Sequence, residues 1–436
     1  MNVLLIGSGG REHALAWKLR QSARLGDLWL GDALNPGLAM LGKPVDVPVD
    51  PRAPFQIQRF CDTHAIGLVV IGPEEPLAGG LADVLAAPNR AVFGPTADGA
   101  RLESDKAWSK EFMRAASIPT AEGRAFTDPE AAKAFVRSRP EPWVIKASGL
   151  AKGKGVVVPS TIDEGIAAID AMMTRRSVGE AGTKIVVEER LKGREVSVFA
   201  LVDGKSIYVL ETCRDHKRLG DGGAGPNTGG MGATCPVLGA DGKRIVDGHT
   251  LSRIEREILL PTVDALRRES IDYRGVLYLG LMLTHAGPKV IEYNVRFGDP
   301  ECQVLMARLK SDLLDILLAT GSRRLEEVNI EWAEGDDGAA AVCVVLAGKG
   351  YPGASSQGLP IEGLDRAAAL EGVRVFHAGT RRGPNGGAVT HGGRVINIVG
   401  VGASVDDARR RAYRAVEQVH FDGKTYRTDI GTDVVG

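Results

Sequence analysis

The segment 289–301 (KVIEYNVRFGDPE) places ionisable and amide side chains within a run whose apolar residues alternate as in a buried strand. Side chains of a strand alternate between faces, so Glu292, Asn294 and Arg296 would share one face, about 6.5 Å apart per two-residue step. Mg²⁺ prefers oxygen ligands and keeps substrate phosphates in its shell, and a neighbouring arginine suits a phosphate or an acyl phosphate. The row therefore predicts a site for phosphoryl transfer. The alternative is an edge strand with a solvated polar face, although the turn signal at 298–300 (GDP) puts the row near a loop, where sites usually lie.

A lysine and a glycine-rich loop form the second candidate. Lys146 ends the apolar segment 143–146 (WVIK), and the loop 147–155 (ASGLAKGKG) follows it directly. A flexible backbone that offers N–H donors, together with ammonium groups, suits the phosphates of ATP, although the loop lacks the Walker A pattern. The alternative is a solvated turn. The candidate phosphate contacts in this loop are Gly153, Lys154 and Gly155.

The segment 185–195 (IVVEERLKGRE) carries the third candidate, because Glu188 and Glu189 end another apolar strand. An adenine would bind the edge backbone there, through to Leu191. Glu195 lies beyond it, and its carboxylate can accept hydrogen bonds from ribose hydroxyls. These four residues are candidate ATP contacts.

Glycine surrounds charged residues at 215–232 (DHKRLGDGGAGPNTGGMG). So much glycine excludes a stable helix and costs backbone entropy on ordering, which is expected where a ligand must approach the backbone closely. A disordered surface loop is the alternative. Asp215 can accept hydrogen bonds from a substrate amine, while Lys217 and Arg218 suit a phosphate or a carboxylate. We take Asp215 and Lys217 as candidate catalytic residues and Asp215, Gly229, Gly230 and Met231 as candidate substrate contacts.

Residues 1 to about 103 alternate short apolar segments with helical ones, which predicts a mostly parallel sheet whose ligands gather at the carboxyl ends of its strands. The predicted strands 3–6, 67–71 and 91–93 each end in a glycine loop. In the first loop Glu12 stands where G-x-G-x-x-G needs its third glycine, which opposes a dinucleotide. The start of the following helix, about 12–25, can still hold a phosphate, unless the glycines merely allow tight turns. The candidate contacts for a phosphosugar are Gly9, Gly10, Arg11, Glu12, Gly72, Pro73 and Glu74.

The chain is expected to be an α/β and α+β multidomain protein. After the N-terminal parallel-sheet domain, a central domain spans about 104–330, with a helix at 106–117, strands at 155–158, 185–189 and 196–202, and a small antiparallel subdomain at about 120–193. The acidic, glycine-bearing segment 331–338 (EWAEGDDG) marks a linker. A strand-rich C-terminal domain, 339–436, follows, with strands at 341–346 and 394–399 and a helix at 405–419.

Composition excludes several classes of protein. A chain of 436 residues with 44% hydrophobic and 25% charged residues is typical of a soluble protein of two to four domains. The net charge of -1 predicts neither a nucleic-acid partner nor an anionic membrane partner. Five scattered cysteines suggest reduced thiols. With no signal peptide pattern and no membrane-length apolar run, we expect a cytoplasmic location, and we expect a monomer.

The order of the motifs resembles the phosphoribosylamine–glycine ligase family of the ATP-grasp superfamily. The resemblance runs from 7–14 (GSGGREHA) to 426–431 (YRTDIG), and its most specific parts are 215–218 (DHKR) and 296–301 (RFGDPE). Two positions depart from the family pattern. Asp105 precedes Lys106 where a serine is common, and Lys152, where a small residue is common, either contacts a phosphate or points to solvent.

The resemblance implies the reaction of ATP, glycine and 5-phosphoribosylamine to ADP, phosphate and glycinamide ribonucleotide, in purine biosynthesis, through a glycyl phosphate. It implies that Lys106 and Lys146 contact the phosphates and that Glu292 and Asn294 hold Mg²⁺ or Mn²⁺. Arg296 would stabilise the transferring phosphoryl group, and the subdomain at about 120–193 would close as a lid. Three alternatives remain: a biotin-dependent or purine carboxylase, a nucleotide sensor without turnover, and an NAD oxidoreductase.

Overall fold

The computed structural model describes residues 1–151, 153–239, 241–335 and 338–432. The predictions made for Lys152, for 336–337 of the linker and for 433–436 of the C-terminal domain lie outside the described residues. Within the described ranges, no helix is long and apolar enough to cross a membrane.

The N-terminal region is a five-stranded sheet in the order β3-β2-β1-β4-β5, and every pairing is parallel, as predicted. Its strands are β1 (Asn2–Ile6), β2 (Leu28–Leu30), β3 (Lys43–Pro44), β4 (Ile66–Ile71) and β5 (Ala91–Phe93). Its helices are α1 (Gly10–Leu19), α2 (Pro36–Ala39), α3 (Phe55–Thr63), α4 (Glu74–Ala78) and α5 (Leu81–Leu85). Two further helices, α6 (Ala97–Ser104) and α7 (Lys106–Ala115), lead out of it. The glycine loops after β1, β4 and β5 therefore lie at the carboxyl edge of this sheet.

Helix α1 differs from its predicted span of 12–25 at both ends. It begins at Gly10 because the Glu12 carboxylate accepts the N–H of Gly9 at 2.7 Å, which caps the first turn. It ends at Leu19 because the N–H of Gln21 bonds to the carbonyl of Lys18 at 3.1 Å, a tighter turn than an α-helix makes.

A separate four-stranded antiparallel sheet occupies the predicted lid region. Its order is β6-β9-β7-β8, and two helices pack on it around their own apolar cluster. The strands are β6 (Gly123–Phe126), β7 (Val144–Ala147), β8 (Val156–Val157) and β9 (Ile185–Glu188), and the helices are α8 (Pro129–Arg137) and α9 (Ile162–Ile169).

The strand that carries Glu292 and Asn294 belongs to a second antiparallel sheet, ordered β11-β10-β16-β17. Its strands are β10 (Arg194–Val202), β11 (Ile207–Val209), β16 (Gly275–Thr284) and β17 (Gly287–Asn294). Glu292 and Asn294 lie on β17 as predicted. Arg296 does not, because β17 ends at Asn294, so the expectation that the strand continues through Arg296 is wrong.

The glycine-rich region after β11 forms short strands rather than a disordered loop. They are β12 (Arg214–Asp215), the hairpin of β13 (Arg218–Gly220) and β14 (Ala224–Asn227), and β15 (Gly232–Cys235). The helices α10 (Gly248–Ile254) and α11 (Leu260–Arg268) precede β16, and α12 (Glu301–Arg308) and α13 (Leu313–Gly321) follow β17.

The C-terminal region completes a sheet that begins in the middle of the chain. Strand β12 pairs antiparallel with β15, and β15 pairs antiparallel with the C-terminal strand β18, which gives the order β12-β15-β18-β22-β19. The C-terminal elements are β18 (Ala340–Ala347), α14 (Leu364–Ala368), β19 (Val373–His377), β20 (Thr380–Arg382), β21 (Ala388–Thr390), β22 (Arg394–Gly402) and α15 (Val405–Val416). This shared sheet places strands from beyond residue 339 in the same sheet as the Asp215 strand, with β15 between them.

Candidate active site

A buried network of two lysines and one glutamate lies where the lid sheet meets β17. The Glu188 carboxylate forms an ion pair with Lys146 through one oxygen and with Lys110 at 2.7 Å through the other. Lys146 also donates to the carbonyl of Ile291 at 2.9 Å, which ties the lid strand β7 to β17. We did not predict Lys110, although its place one helical turn after Lys106 puts both lysines on the same face of α7.

Asp105, which departs from the family pattern, has a structural role at the start of α7. Its carboxylate accepts the N–H of Trp108 at 3.1 Å and so caps α7, and it accepts the hydroxyl of Ser148 at 2.7 Å. The N–H of Lys106 bonds to the carbonyl of Ser148 at 2.9 Å. Lys106 is therefore fixed against the loop that follows Lys146. Burial lowers the pKa of Lys106, an effect that the carboxylates of Glu292 and Glu103 oppose.

Lys217 stands between two carboxylates that were predicted for different ligands. Its Nζ lies 2.7 Å from Glu195 Oε1 and 3.3 Å from Glu292 Oε1. Burial raises the pKa of Glu292, but the charges of Lys217, Lys146 and Lys106 outweigh this effect and bring that pKa to about 2. Glu292 is therefore ionised throughout the neutral range, as a ligand of a cation must be.

Arg296 is held by two carboxylates from the N-terminal region. Its Nε donates to Glu74 at 3.0 Å, and its Nη2 donates to Glu103 at 2.8 Å. Glu103 also accepts the N–H of Val295 at 2.8 Å, so it fixes the chain just beyond β17 as well. Burial raises the pKa of Glu74, but the charges of Arg296 and Arg11 outweigh it and bring that pKa to about 2. The structure thus joins Glu74, which follows β4, to Arg296, which follows β17.

The two first glycine loops meet at the carboxyl edge of the parallel sheet. A Cβ on Gly72 would lie 2.0 Å from the Glu12 carboxylate, so only glycine fits there. The start of α1 is occupied by carboxylates: Glu12 accepts the N–H of Gly9 at 2.7 Å, and Asp299 accepts that of Arg11 at 3.3 Å. A phosphate bound there would have to displace these carboxylates, so the predicted phosphate contacts of this loop stay a prediction. The Arg11 side chain is also engaged, with Glu12 at 2.6 Å.

Asp215 has the environment expected of a group that binds an amine. Its Oδ1 is buried and has no hydrogen-bond partner among the described residues. Burial raises the pKa of Asp215 well above its usual value, and the nearby Glu301 carboxylate adds to the shift. A Cβ on Gly230 would lie 2.6 Å from this oxygen, so glycine leaves the carboxylate room. A cationic partner would relieve the cost of this burial.

Two residues of the C-terminal region contact the same loop and were not predicted. Arg394 Nη1 donates to the carbonyl of Gly229 at 2.6 Å, and the N–H of Gly229 donates to Tyr351 Oη at 2.8 Å. Arg394 also lies 3.6 Å from the Asp299 carboxylate. No local pattern marks either residue, because the shared sheet brings them there from more than 100 positions away. Met231 is completely buried, and its carbonyl accepts the N–H of Val345 at 3.0 Å, while its contact with substrate stays a prediction.

The remaining predicted ATP contacts lie in the loop between β7 and β8 and just after β9. Gly153 has φ +77° and approaches Gly229, whose nitrogen would lie 4.0 Å from an added Cβ. Lys154 and Gly155 continue this turn into β8. The Glu189 side chain is engaged with Lys289 at 3.1 Å, and its N–H donates to the carbonyl of Glu122 at 2.8 Å. Leu191 is partly exposed two residues on.

The candidate metal site offers oxygen ligands from one strand, β17. No three His, Cys, Asp or Glu side chains cluster as a metal site in the described ranges. Glu292 and Asn294 supply one carboxylate and one amide oxygen on the same strand. This pair fits Mg²⁺ or Mn²⁺ bound together with nucleotide phosphates and water, which is the usual arrangement for Mg²⁺.

Comparisons with known proteins agree over the whole chain. Models of the phosphoribosylglycinamide synthetase family match at 1–103 (N domain), 104–302 (ATP-grasp domain) and 341–433 (C domain). The phosphoribosylamine–glycine ligase of Rhizobium meliloti (strain 1021) is 47% identical over 431 residues, which cover 99% of this chain and 98% of that protein. The trifunctional purine biosynthetic protein adenosine-3 of Gallus gallus is 46% identical over 98% of this chain and 42% of its own length. The crystal structure of the phosphoribosylamine–glycine ligase of Thermotoga maritima has a TM-score of 0.83 and 35% identity, and covers 98% of this chain and 100% of that one.

Proposed function

Since the chain belongs to the phosphoribosylglycinamide synthetase family, an ATP-dependent carbon–nitrogen ligase family of purine biosynthesis, we propose that it joins glycine to 5-phosphoribosylamine through a glycyl phosphate. The observation that carries this proposal is the position of Lys217, 3.3 Å from Glu292 and two residues after Asp215. An amine-binding carboxylate and the phosphoryl-transfer row are thus joined by one short segment.

The first step activates glycine, because a carboxylate has a poor leaving group and does not acylate an amine directly. A glycine carboxylate oxygen attacks the γ-phosphorus of ATP, the bond to the β-phosphate oxygen breaks, and ADP leaves. Lys106 and Lys146 orient the phosphates and offset their charge, while Arg296 faces the transferring group. Mg²⁺ or Mn²⁺ held by Glu292 and Asn294 would supply charge neutralisation on the phosphate oxygens.

The second step forms the amide. The amine of phosphoribosylamine attacks the carbonyl carbon of glycyl phosphate, the carbon–oxygen bond to phosphate breaks, and the amine loses a proton. Asp215 holds the glycine ammonium meanwhile, with Gly229 and Gly230 lining the same place. The loop Gly72, Pro73 and Glu74, joined to Arg296, is our proposed contact for the ribosyl group.

The decisive experiment follows ADP and phosphate in a mixture of ATP, Mg²⁺, glycine, and phosphoribosylamine generated in place from ribose 5-phosphate and ammonia. Each component is omitted in turn. We expect ADP and phosphate only in the complete mixture, with glycinamide ribonucleotide formed in equal amount. Release that follows bicarbonate instead of glycine would indicate a carboxylase, and tight ATP binding without release would indicate a nucleotide sensor.

The proposed lid, about residues 120–193, is expected to become more resistant to protease when ATP and Mg²⁺ bind. Closure would exclude water from the labile acyl phosphate, and a closed lid exposes fewer cleavable bonds. Limited trypsin digestion with and without ATP measures the cleavage rate. Digestion with ADP in the absence of glycine provides a second ligand state. Equal cleavage rates within 120–193 in all states would contradict the lid.

Replacing Glu195 by alanine is expected to raise KM for ATP severalfold with kcat changed by less than about threefold. A contact to ribose hydroxyls binds the ground and transition states alike, so its loss lowers affinity rather than turnover. Steady-state kinetics with varied ATP provide the measurement. Because Glu195 lies 2.7 Å from Lys217, a fall in kcat at unchanged KM would instead assign Glu195 to the orientation of that lysine.

A further inference from the structure

The motif 426–431 (YRTDIG) near the end of the chain has no part in the chemistry described above. The structure places three of its residues, 427–429, against the tip of the hairpin formed by β13 and β14. We call residues 218–227 the substrate hairpin and residues 427–429 the clasp. The hairpin continues Lys217 on one side and leads into Gly229 on the other.

Three hydrogen bonds join the clasp to the exposed tip of the substrate hairpin. Asp221 accepts the N–H of Thr428 at 2.8 Å and the hydroxyl of Thr428 at 2.5 Å. Asp429 accepts the N–H of Gly222 at 2.8 Å. Because each side contributes a carboxylate, the contact is reciprocal. The carboxylates of Asp221 and Asp429 thus fix Asp221 and Gly222, two successive residues of the tip. Without these bonds, the glycines of the tip would leave it mobile.

The clasp is itself anchored in the C-terminal region. Arg427 is buried and forms a two-pronged pair with Asp429, with both distances 2.7 Å. Arg427 also donates to the carbonyl of Arg218, in the first strand of the hairpin, at 3.2 Å. The hydroxyl of Tyr413 on α15 donates to the carbonyl of Arg427 at 2.7 Å. The position of the hairpin therefore depends on a helix about 200 residues away in the chain.

The base of the hairpin transmits this position to the substrate groups. Thr228 bonds to the carbonyl of Lys217 through its N–H at 2.7 Å and through its hydroxyl at 2.8 Å. The same hydroxyl accepts the N–H of Gly230 at 3.0 Å, next to the buried oxygen of Asp215. A shift of the hairpin would move Lys217 and Gly230 together.

We propose that Asp221, Thr428 and Asp429 are positioning residues for the glycine subsite, which they act on through the substrate hairpin. The inference rests on the proposed function for the identity of the substrate. The clasp gives a role, through the substrate hairpin, to a motif that lies outside the phosphoryl-transfer row. We expect its main effect on glycine, because Gly230 adjoins Asp215, whereas the predicted ATP contacts other than Leu191 and Glu195 lie in the lid or on α7, and of these two Glu195 contacts Lys217.

The test uses Asp221→Ala and Thr428→Val in the full chain, both at exposed positions where the fold should persist. We expect each to raise KM for glycine about tenfold, since small displacements of substrate-positioning groups are costly, and to leave KM for ATP within about twofold. The double variant should raise KM little beyond Asp221→Ala alone, because both changes remove the same contact. The matched control is Asp241→Ala, which removes an aspartate from another exposed glycine turn.

A second readout needs no activity. Trypsin should cut after Arg218 about tenfold faster in Asp221→Ala than in the parent chain and the Asp241→Ala control, as expected for a tip that opens more often. Unchanged cleavage would refute the clasp, whatever substrate the site takes. Faster cleavage with an unchanged KM for glycine would show that the clasp holds the hairpin but that the hairpin does not position the glycine subsite. This result would also overturn the proposal. A parent chain without glycine-dependent ADP formation would refute the proposed function, while trypsin would still decide on the clasp.

Discussion

Replacing Glu292 by glutamine is expected to lower kcat by about 10³-fold, a loss typical of removing one preorganised electrostatic group from an active site. Glutamine keeps the volume of the side chain and one oxygen, but it removes the negative charge. In the structure this charge lies among Lys217, Lys146 and Lys106, which hold the pKa of Glu292 at about 2. A neutral amide there would leave the lysines uncompensated and would bind a divalent cation weakly.

Initial rates of ADP formation at saturating ATP and glycine measure this effect, and circular dichroism checks the fold. Glu326→Gln is the matched control, since Glu326 is an exposed glutamate in an ion pair with Lys205 at 2.6 Å. It should leave kcat unchanged. Raising Mg²⁺ should partly restore Glu292→Gln if the lost group binds the metal. Turnover within tenfold of the parent chain would remove Glu292 from the metal site.

Replacing Asp215 by asparagine is expected to raise KM for glycine by about 10²-fold or more and to leave KM for ATP nearly unchanged. Removing one partner of a buried charged pair costs about 2–5 kcal/mol, which corresponds to this factor. The buried Oδ1 has no hydrogen-bond partner in the described part of the chain, so the substrate ammonium would be its direct partner, while Lys217 and Arg394 act on it as nearby charges. Asparagine matches the shape but carries no charge.

The same substitution should not lower the melting temperature of the unliganded protein. A buried carboxylate without a partner destabilises the folded state, and a neutral amide reduces that cost. Thermal unfolding with and without glycine therefore separates function from folding, because glycine should stabilise the parent chain and not Asp215→Asn. Asp247→Asn, at the exposed N-cap of α10, is the control. An unchanged KM for glycine would assign the ammonium to another group.

The sequence alone determined the elements that carry the chemistry. The two-residue period of 289–294 placed Glu292 and Asn294 together on a strand, and short apolar runs ending in glycine predicted a parallel sheet with its loops on one edge. Both follow from local rules: side chains alternate along a strand, and parallel strands share a carboxyl edge. Lys146, Glu188 and Asp215 were singled out because each lies at the end of such a run or in a glycine-rich turn.

Only the tertiary structure decided which partner each of these groups has. Arg296 contacts Glu103, 193 residues away in the chain, and Glu74, 222 residues away. Arg394 contacts Gly229 across 165 residues. At the start of α1, the N–H of Arg11 donates to Asp299, which lies 288 residues further along the chain. Ion pairs and hydrogen bonds need contact within about 4 Å. Such distances between remote segments are set by how whole sheets pack, so local spacing carries no information about them.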